Sequence, residues 1–137
     1  MFSHLYRAIS SRLNANLFSS SAASSSSPSA YQKKVMAVKD TVDAAINGNT
    51  ITVFSKTTCP FCSRAKDTIQ KTFPDVKTEI VEIDELSEGS AIQNYLQEKT
   101  GQRTVPNIFI NQKHVGGCDD FHSKLKNGQV NALLAAA

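Results

Sequence analysis

Apolar residues in this chain follow helical spacing in some segments and strand spacing in others. Four of them recur every three or four positions in the first such segment: Val35, Val38, Val42 and Ile46. They predict an amphipathic helix that ends at Asn47-Gly48. The next segment, Ile51-Thr52-Val53-Phe54, is short and contains β-branched residues, which predicts a buried strand. The chain therefore begins its folded part with a helix followed by a strand.

The same signals continue to the C-terminus. They predict helix, strand, helix, strand and strand at about 62–73, 80–83, 90–99, 107–110 and 114–115, followed by short helices near 121–125 and 130–134. The helical crossover makes the first two strands parallel, and a tight turn at Asn111-Gln112 makes the last two antiparallel. The predicted fold is α/β, with a four-stranded mixed sheet flanked by helices.

Residues 1–35 differ from the rest in composition. They contain four basic residues, no acid and a Ser/Ala tract at 19–29, and the first 13 residues place apolar side chains at helical spacing. This pattern predicts an organelle transit peptide and a Ser-rich linker, disordered or cleaved, which leaves 36–137 as the domain. The pattern favours targeting to the mitochondrial matrix first and to plastids second. The alternative is a disordered tail that carries no targeting signal. Met36 is compatible with a second start site that gives a cytosolic form, or with the first core residue of the helix, which we favour.

Charge and hydropathy argue against a nucleic-acid partner and against a membrane span. The formal net charge is +3, but the domain itself has 11 basic and 12 acidic residues and no basic run of the kind that binds phosphate backbones. The longest apolar runs are only a few residues, far below the roughly 20 that span a bilayer. We therefore expect no nucleic-acid partner and no membrane segment.

The candidate chemistry lies in Cys59-Pro60-Phe61-Cys62, where a predicted strand gives way to a helix. The N–H groups and dipole of a helix N-terminus favour a thiolate at Cys59, and Lys56 adds a positive charge nearby. Proline suits the first helical turn because its missing N–H removes no helical hydrogen bond. Cys62, one turn into the helix, is predicted to be more buried and protonated. This arrangement predicts redox catalysis, with Cys59 as the attacking thiolate.

Other interpretations of the cysteine pair fit less well. Zinc needs four ligands, and the sequence offers only Cys118 and scattered histidines beyond the pair. Haem attachment requires a histidine where Ser63 stands. A purely structural buried pair is unexpected directly after a strand and beside Lys56. No metal site is predicted.

Two further segments carry weaker signals. Thr104-Val105-Pro106 precedes a strand, where a cis-proline loop would present backbone groups beside the cysteines, although proline is also simply tolerated at the start of a strand. The segment from Gly116 to Asp120 opens a helix, and its bare backbone allows a ligand to approach its N–H groups. Asp119 in that segment is equally suited to capping the helix.

Taken together and in order, 56–62, 101–106 and 116–119 closely resemble the dithiol glutaredoxins, over roughly residues 36–135. The resemblance implies a thioredoxin-like fold and glutathione as co-substrate, with no permanently bound cofactor. It also implies a glutathione groove formed by Lys56, Phe61, Gln93, Arg103, Thr104, Val105, Gly117, Cys118 and Asp119. Phe61 departs mildly from the pattern, because tyrosine is commonest there.

The resemblance also implies roles within this groove. Lys56, Gln93 and Arg103 would address the glycine-end carboxylate of glutathione. Thr104 and Val105 would pair with its backbone, and Asp119 would meet the γ-glutamyl amine. Without the resemblance, Gln93 and Arg103 would be taken for ordinary solvated surface residues.

The function implied is reduction of protein–glutathione mixed disulfides and of protein disulfides, with Cys62 as the resolving thiol in a monomeric protein. Two alternatives stay open. A dimer that carries an iron–sulfur cluster through Cys59 and glutathione is disfavoured by the rigid Pro60. A thioredoxin-like reductase would be recycled by a flavin enzyme instead of glutathione.

Overall fold

The computed structural model describes residues 27–136, and the predicted transit peptide up to residue 26 lies outside them. The chain divides into two units, residues 1–33 and 34–137, and the fold below is that of the second together with residues 30–33, which form the start of its first helix. Its elements are α1 (Ala30–Gly48), β1 (Ile51–Ser55), α2 (Pro60–Thr72), β2 (Thr78–Glu82), a 3₁₀ turn (Ile83–Glu85), α3 (Gly89–Thr100), β3 (Asn107–Ile110), β4 (Lys113–Gly116), α4 (Cys118–Lys126) and α5 (Gln129–Ala135). None of the helices within 27–136 is long and apolar enough to span a bilayer.

The four strands form one mixed sheet in the order β2-β1-β3-β4. β1 runs parallel to β2, and its last residue, Ser55, is in register with Glu82. β3 is antiparallel to both β1 and β4. The turn between β3 and β4 places Asn111 and Gln112 at φ 46° and 70°, the left-handed conformation that two-residue hairpin turns require. The predicted topology is confirmed.

Helices cover both faces of the sheet. One core lies between the sheet and α1 and α3, around Phe54 and Phe109, whose rings meet edge to face at 5.9 Å. The other lies beneath α2, α4 and α5, around Ile69, Phe121 and other residues. Every residue of the central strands β1 and β3 is buried, whereas the edge strand β2 is only partly covered. The central strands are therefore largely apolar, as strands covered on both faces are.

The structure corrects three details of the predicted elements. Ile83 is not in the second strand but in the 3₁₀ turn after it, although its side chain is still buried. Met36 is not a core residue, since it is 57% exposed, and Val35 is exposed too; the buried face of α1 begins at Val38. Helical periodicity identifies the face of a helix, but not how far along that face the core extends.

Candidate active site

Cys59 occupies the N-cap position of α2. Its backbone is extended, with φ −95° and ψ 117°, and Pro60 follows at the first helical position. The thiol sulfur accepts a hydrogen bond from the backbone N–H of Cys62 at 3.4 Å. The sulfur therefore takes the place of the capping oxygen at a helix N-terminus, where negative charge is favoured. Cys59 is half-buried.

Cys62 lies three residues after Cys59, in the first turn of α2, and is fully buried. Burial raises the pKa of Cys62 to about 11, and the neighbouring Cys59 adds to the rise, while the Lys56 backbone and the Ser55 hydroxyl act in the opposite direction. A thiol with this pKa is protonated at neutral pH. Cys62 is more buried than Cys59, as predicted, and its raised pKa favours the protonated thiol.

The loop before β3 lies directly beside the first cysteine. The Val105–Pro106 peptide bond is cis, and the Cys59 thiol approaches the Val105 carbonyl at 3.9 Å. The side-chain amide of Gln102 donates to the carbonyls of both Thr104 and Pro106, at 3.0 and 2.9 Å. Gln102 thus fixes the path of the loop from within. The expected cis-proline loop beside the cysteines is confirmed.

The glycine pair at the start of α4 approaches the same loop. Gly116 has φ +121°, and a Cβ there would lie 2.4 Å from a carboxylate oxygen of Asp120. A Cβ on Gly117 would lie 3.7 Å from the Pro106 carbonyl. Asp120, and not Asp119, accepts the Gly117 N–H, at 3.3 Å, so the capping interpretation considered for Asp119 is wrong. Asp119 is exposed at the first turn of α4.

The structure brings Gln93 and Arg103 together from separate elements. The amide of Gln93, on α3, donates to the Arg103 carbonyl at 3.1 Å, and the Arg103 guanidinium donates to the side chain of Asn94. Lys56 is half-buried in the loop before Cys59, and its carbonyl accepts the Cys59 N–H at 3.2 Å. Phe61 is 56% exposed beside the cysteines, which leaves its ring available to a ligand.

Cys118 is buried near the cysteine pair. Burial raises the pKa of Cys118, the Arg64 guanidinium lowers it, and charges on Asp119 and Cys59 raise it further. Its sulfur lies 3.5 Å from Nδ1 of His122, one turn along α4. Cys118 is therefore part of the floor of the site and is poorly suited to compete with Cys59 as a nucleophile.

Sequence reasoning missed three sets of residues that hold the site. Gln102 braces the cis-proline loop, and nothing in the sequence around it indicates that role. Asp84 accepts hydrogen bonds from the backbone N–H of Thr57, at 3.1 Å, and from its hydroxyl, which fixes the loop before Cys59. Asp84 follows the second parallel strand, and the carboxyl ends of parallel strands share an edge, so its position was a usable signal. The third set links Ser55, Glu82 and Lys66 beneath Cys62.

The fold and this site define a class of protein. A dithiol at a helix N-terminus, facing a cis-proline loop on a four-stranded mixed sheet, is the arrangement of thioredoxin-fold thiol–disulfide oxidoreductases. Within residues 27–136, no three His, Cys, Asp or Glu residues are grouped to hold a metal ion.

The comparisons narrow the class to one family. The glutaredoxin family profile matches residues 51–115. Glutaredoxin-1 of Rhizophagus irregularis is 50% identical over 99 residues, which is 72% of this chain and 96% of that protein. The rice protein named Glutaredoxin-C4, chloroplastic, is 42% identical over 123 residues, covering 85% of this chain and 90% of its own. The crystal structure of a buckwheat glutaredoxin–glutathione complex has a TM-score of 0.71 and 37% identity, covering 80% of this chain and 96% of that one.

The chain belongs to the glutaredoxin family. It is a glutathione-dependent thiol oxidoreductase with the thioredoxin fold, and glutathione is its co-substrate.

Proposed function

We propose that Cys59 is the attacking thiolate and Cys62 the resolving thiol in the reduction of protein–glutathione mixed disulfides and of protein disulfides. The observation that carries this assignment is the position of Cys59 Sγ at the N-cap of α2, 3.4 Å from the Cys62 N–H, while Cys62 itself is fully buried. Only the first sulfur is accessible to a substrate, and only the first is held where negative charge is stabilised.

With a glutathionylated protein, the Cys59 thiolate attacks the glutathione sulfur. The bond between that sulfur and the protein sulfur breaks, the protein thiolate leaves with the electron pair and takes a proton from solvent, and Cys59 is left glutathionylated. A second glutathione, as its thiolate, attacks the glutathione sulfur of this intermediate. Glutathione disulfide leaves, and Cys59 returns to the thiolate.

With a protein disulfide, Cys59 attacks one sulfur and forms a mixed disulfide with the protein. Cys62 then attacks Cys59, the substrate thiolate leaves, and an internal Cys59–Cys62 disulfide forms. Two glutathione molecules reduce this bond in turn. The close approach of the two cysteines within one helical turn supports this second route.

The glutathione groove runs, in this proposal, from α3 across the cis-proline loop to the start of α4. Lys56, Gln93 and Arg103 bind the glycine-end carboxylate, and the Gln93–Arg103 hydrogen bond supports their grouping. Thr104 and Val105 pair with the tripeptide backbone, and their fixed loop beside Cys59 supports that role. Gly117, Cys118 and Asp119 take the γ-glutamyl end, where Asp119 is exposed and Gly117 leaves room. The ring of Phe61 borders the groove.

The test separates the two cysteines. Cys59→Ser should abolish turnover on both substrate types, because a serine hydroxyl is not ionised at neutral pH. Cys62→Ser should retain deglutathionylation and lose reduction of protein disulfides. Rates measured with a glutathionylated peptide and with a disulfide-bonded protein decide the matter, and substantial activity in Cys59→Ser on either substrate would overturn the assignment.

Residues 1–35 act, in this proposal, as an organelle-targeting segment ahead of a monomeric domain. Their acid-free, Arg- and Ser-containing composition favours mitochondria. The rice relative that aligns over 85% of this chain carries the word chloroplastic in its name, which supports plastids as the second destination. A fluorescent fusion of residues 1–35 should enter an organelle, whereas a fusion to residues 36–137 should stay in the cytosol. Uniform cytosolic signal from the first fusion would show that the segment carries no address.

A further inference from the structure

A series of hydrogen bonds leads from the edge strand β4 to the cis-proline loop. His114, on β4, has its Nε2 atom 2.9 Å from Oδ1 of Asn107 at the start of β3. The Nδ2 amide of Asn107 donates to the backbone carbonyl of Gln102 at 3.4 Å. Gln102 donates in turn, through its own side-chain amide, to the carbonyls of Thr104 and Pro106. The loop beside the cysteine pair is thus connected to a histidine that the proposed groove does not include.

The direction of each of these bonds follows from the chemistry of the groups. A carbonyl oxygen only accepts, so the amide nitrogen of Asn107 faces Gln102 and its oxygen faces His114. Burial of part of the imidazole and the nearby charge of Lys124 lower the pKa of His114, while Asp120 raises it. The ring is therefore neutral at pH 7, and its one proton lies on Nε2, from which it is donated to Asn107.

Asn107 is an exceptional residue for its position. It is fully buried in the central strand β3, whose other three residues are apolar. A buried amide destabilises the fold unless its hydrogen bonds are made, and both ends of this amide are bonded. The ring of His114 also packs against Phe109, with ring centroids 5.3 Å apart. The amide of Asn107 is explained by the two groups that it joins, since packing alone would favour an apolar side chain.

Gln102 determines which carbonyl of the loop faces the first cysteine. Its amide binds the carbonyls on either side of Val105, those of Thr104 and Pro106, at 3.0 and 2.9 Å. The carbonyl of Val105 lies instead 3.9 Å from the sulfur of Cys59. The alternation of these three carbonyls therefore depends on one side chain.

The backbone of Gln102 is itself held from two sides. Its N–H donates to the hydroxyl of Thr100 at 3.0 Å, and that hydroxyl donates to the Leu96 carbonyl in the last turn of α3. Its carbonyl accepts from Asn107. Loss of the second contact leaves the peptide group after Gln102 free to rotate, and the loop that the side chain holds moves with it.

We propose that His114 is a positioning residue for glutathione, which acts through Asn107 and Gln102 on the backbone of the cis-proline loop. The inference rests on the groove proposed above, in which Thr104 and Val105 pair with the tripeptide backbone. His114 contacts neither glutathione nor the cysteines in this proposal. Its bond to Asn107 keeps Gln102 in place, and Gln102 holds the loop in the conformation that pairs with the tripeptide. A loop that is already ordered loses less entropy on binding.

Substitutions at His114 and Gln102 separate this hydrogen bond from packing. His114→Phe keeps a ring against Phe109 but cannot donate to Asn107, and His114→Leu replaces it if that variant folds poorly. His114→Gln restores a donor, because its amide nitrogen lies at about the distance of Nε2 from the backbone. Gln102→Met has nearly the same length as the native side chain and removes both bonds to the loop. Lys113→Phe is the control, since it adds the same ring at the neighbouring exposed position of β4.

Steady-state kinetics of the full chain test the proposal. A glutathionylated peptide is held at saturation while glutathione is varied, which gives kcat and the KM for glutathione. One hydrogen bond corresponds to about a 2- to 10-fold change in an equilibrium constant. Gln102→Met should therefore raise the KM for glutathione about tenfold, and His114→Phe about threefold. His114→Gln and Lys113→Phe should keep the wild-type KM. In all variants, kcat and the rate on a small disulfide without carboxylates should stay at the wild-type values.

A wild-type KM for glutathione in His114→Phe would overturn the proposal. A raised KM in His114→Phe together with a wild-type KM in Gln102→Met would overturn the route through Gln102. A raised KM that His114→Gln does not restore, or equal slowing on the small disulfide, would show that the histidine only supports packing. Arg103→Ala, run alongside, tests the groove separately: a wild-type KM there means that the groove is misplaced. A raised KM in Arg103→Ala with a wild-type KM in His114→Phe removes only the role of His114.

Discussion

The side-chain amide of Gln93 donates a 3.1 Å hydrogen bond to the backbone carbonyl of Arg103. This bond ties α3 to the loop that ends in the cis-proline peptide, and the Arg103 guanidinium is held in turn by Asn94. Two polar side chains that look like ordinary surface residues in the sequence are thereby fixed at one end of the proposed glutathione groove. A positive charge that is already positioned loses less entropy when it binds a carboxylate.

The first prediction concerns Arg103→Ala. A hydrogen bond to a charged group contributes roughly 1.5–3 kcal/mol, and solvent screening reduces this to about 1 kcal/mol in an open groove. The variant should therefore need about five- to tenfold more glutathione, at about tenfold per 1.4 kcal/mol. Its rate on a small disulfide without carboxylates should change little. Steady-state kinetics with glutathione and with the small disulfide give the ratio of the two rates for each variant.

Lys56→Ala provides the contrast. It also removes a positive charge near Cys59, so the reactions with both substrates should be slower. Lys113→Ala, an exposed residue at the other end of the sheet, is the control and should affect neither. Equal slowing of both substrates by Arg103→Ala would place the groove elsewhere.

The second prediction concerns pH and Asp84. The hydrogen bond from the Thr57 hydroxyl lowers the pKa of Asp84, with smaller contributions from the backbone and from the charge of Lys56. A lowered folded-state pKa adds stability above the unfolded pKa of about 3.9, and that stability is lost as the pH falls through the lower folded-state value. Asp84→Asn should thus be destabilised by a constant amount from pH 5 to 8, and the difference from wild type should shrink below about pH 4.

Urea denaturation across this pH range measures the free energy of unfolding of each protein. Glu85→Gln, the adjacent exposed acid in the same turn, is the control for loss of a negative charge. A difference between wild type and Asp84→Asn that grows on acidification would contradict the assignment.

The third prediction concerns the reactivity of Cys118. Because this thiol is buried and its pKa is raised, iodoacetamide should modify it at least about tenfold more slowly than an unfolded peptide at pH 7. The Arg64 guanidinium lowers the pKa, so Arg64→Gln should slow the modification further, while Arg64→Lys should restore most of the rate. Peptide mapping after timed labelling gives the rate at each cysteine. Faster labelling in Arg64→Gln would show that Arg64 shields Cys118 and does not act through its charge.

The fourth prediction concerns Gly116. At φ +121° an added Cβ is strained and would also meet the Asp120 carboxylate, so Gly116→Ala should cost about 1–3 kcal/mol of stability. Gly48→Ala is the matched control: a Cβ there contacts nothing within 4 Å, and the change should be neutral or slightly stabilising. Thermal and denaturant unfolding compare the two variants. Equal stability of both would mean that the start of α4 rearranges at little cost.

Local signals in the sequence determined most of the secondary structure. Central strands were identified by their largely apolar segments, because burial on both faces favours apolar side chains in β1 and β3. The second strand was predicted to end one residue too late, since Ile83 buries its side chain as a strand residue does, while its backbone has already turned. Met36 was misplaced for a related reason, because periodicity along α1 continues beyond the part of the helix that the core covers.

The sequence by itself also determined the chemistry at the cysteine pair. In this motif a thiol lies at a strand-to-helix junction and is followed by proline and a second thiol. The reactivity of such a thiol depends only on local backbone geometry, which neighbouring residues control. The tertiary structure alone decided which distant groups meet there. The contacts of Gln102 with the cis-proline loop, of Asp84 with Thr57, and of Ser55 and Lys66 with Glu82 join residues from different elements. Such contacts depend on strand order and register, which no single segment encodes, so a polar residue in the sequence does not reveal the partner that it will have in the fold.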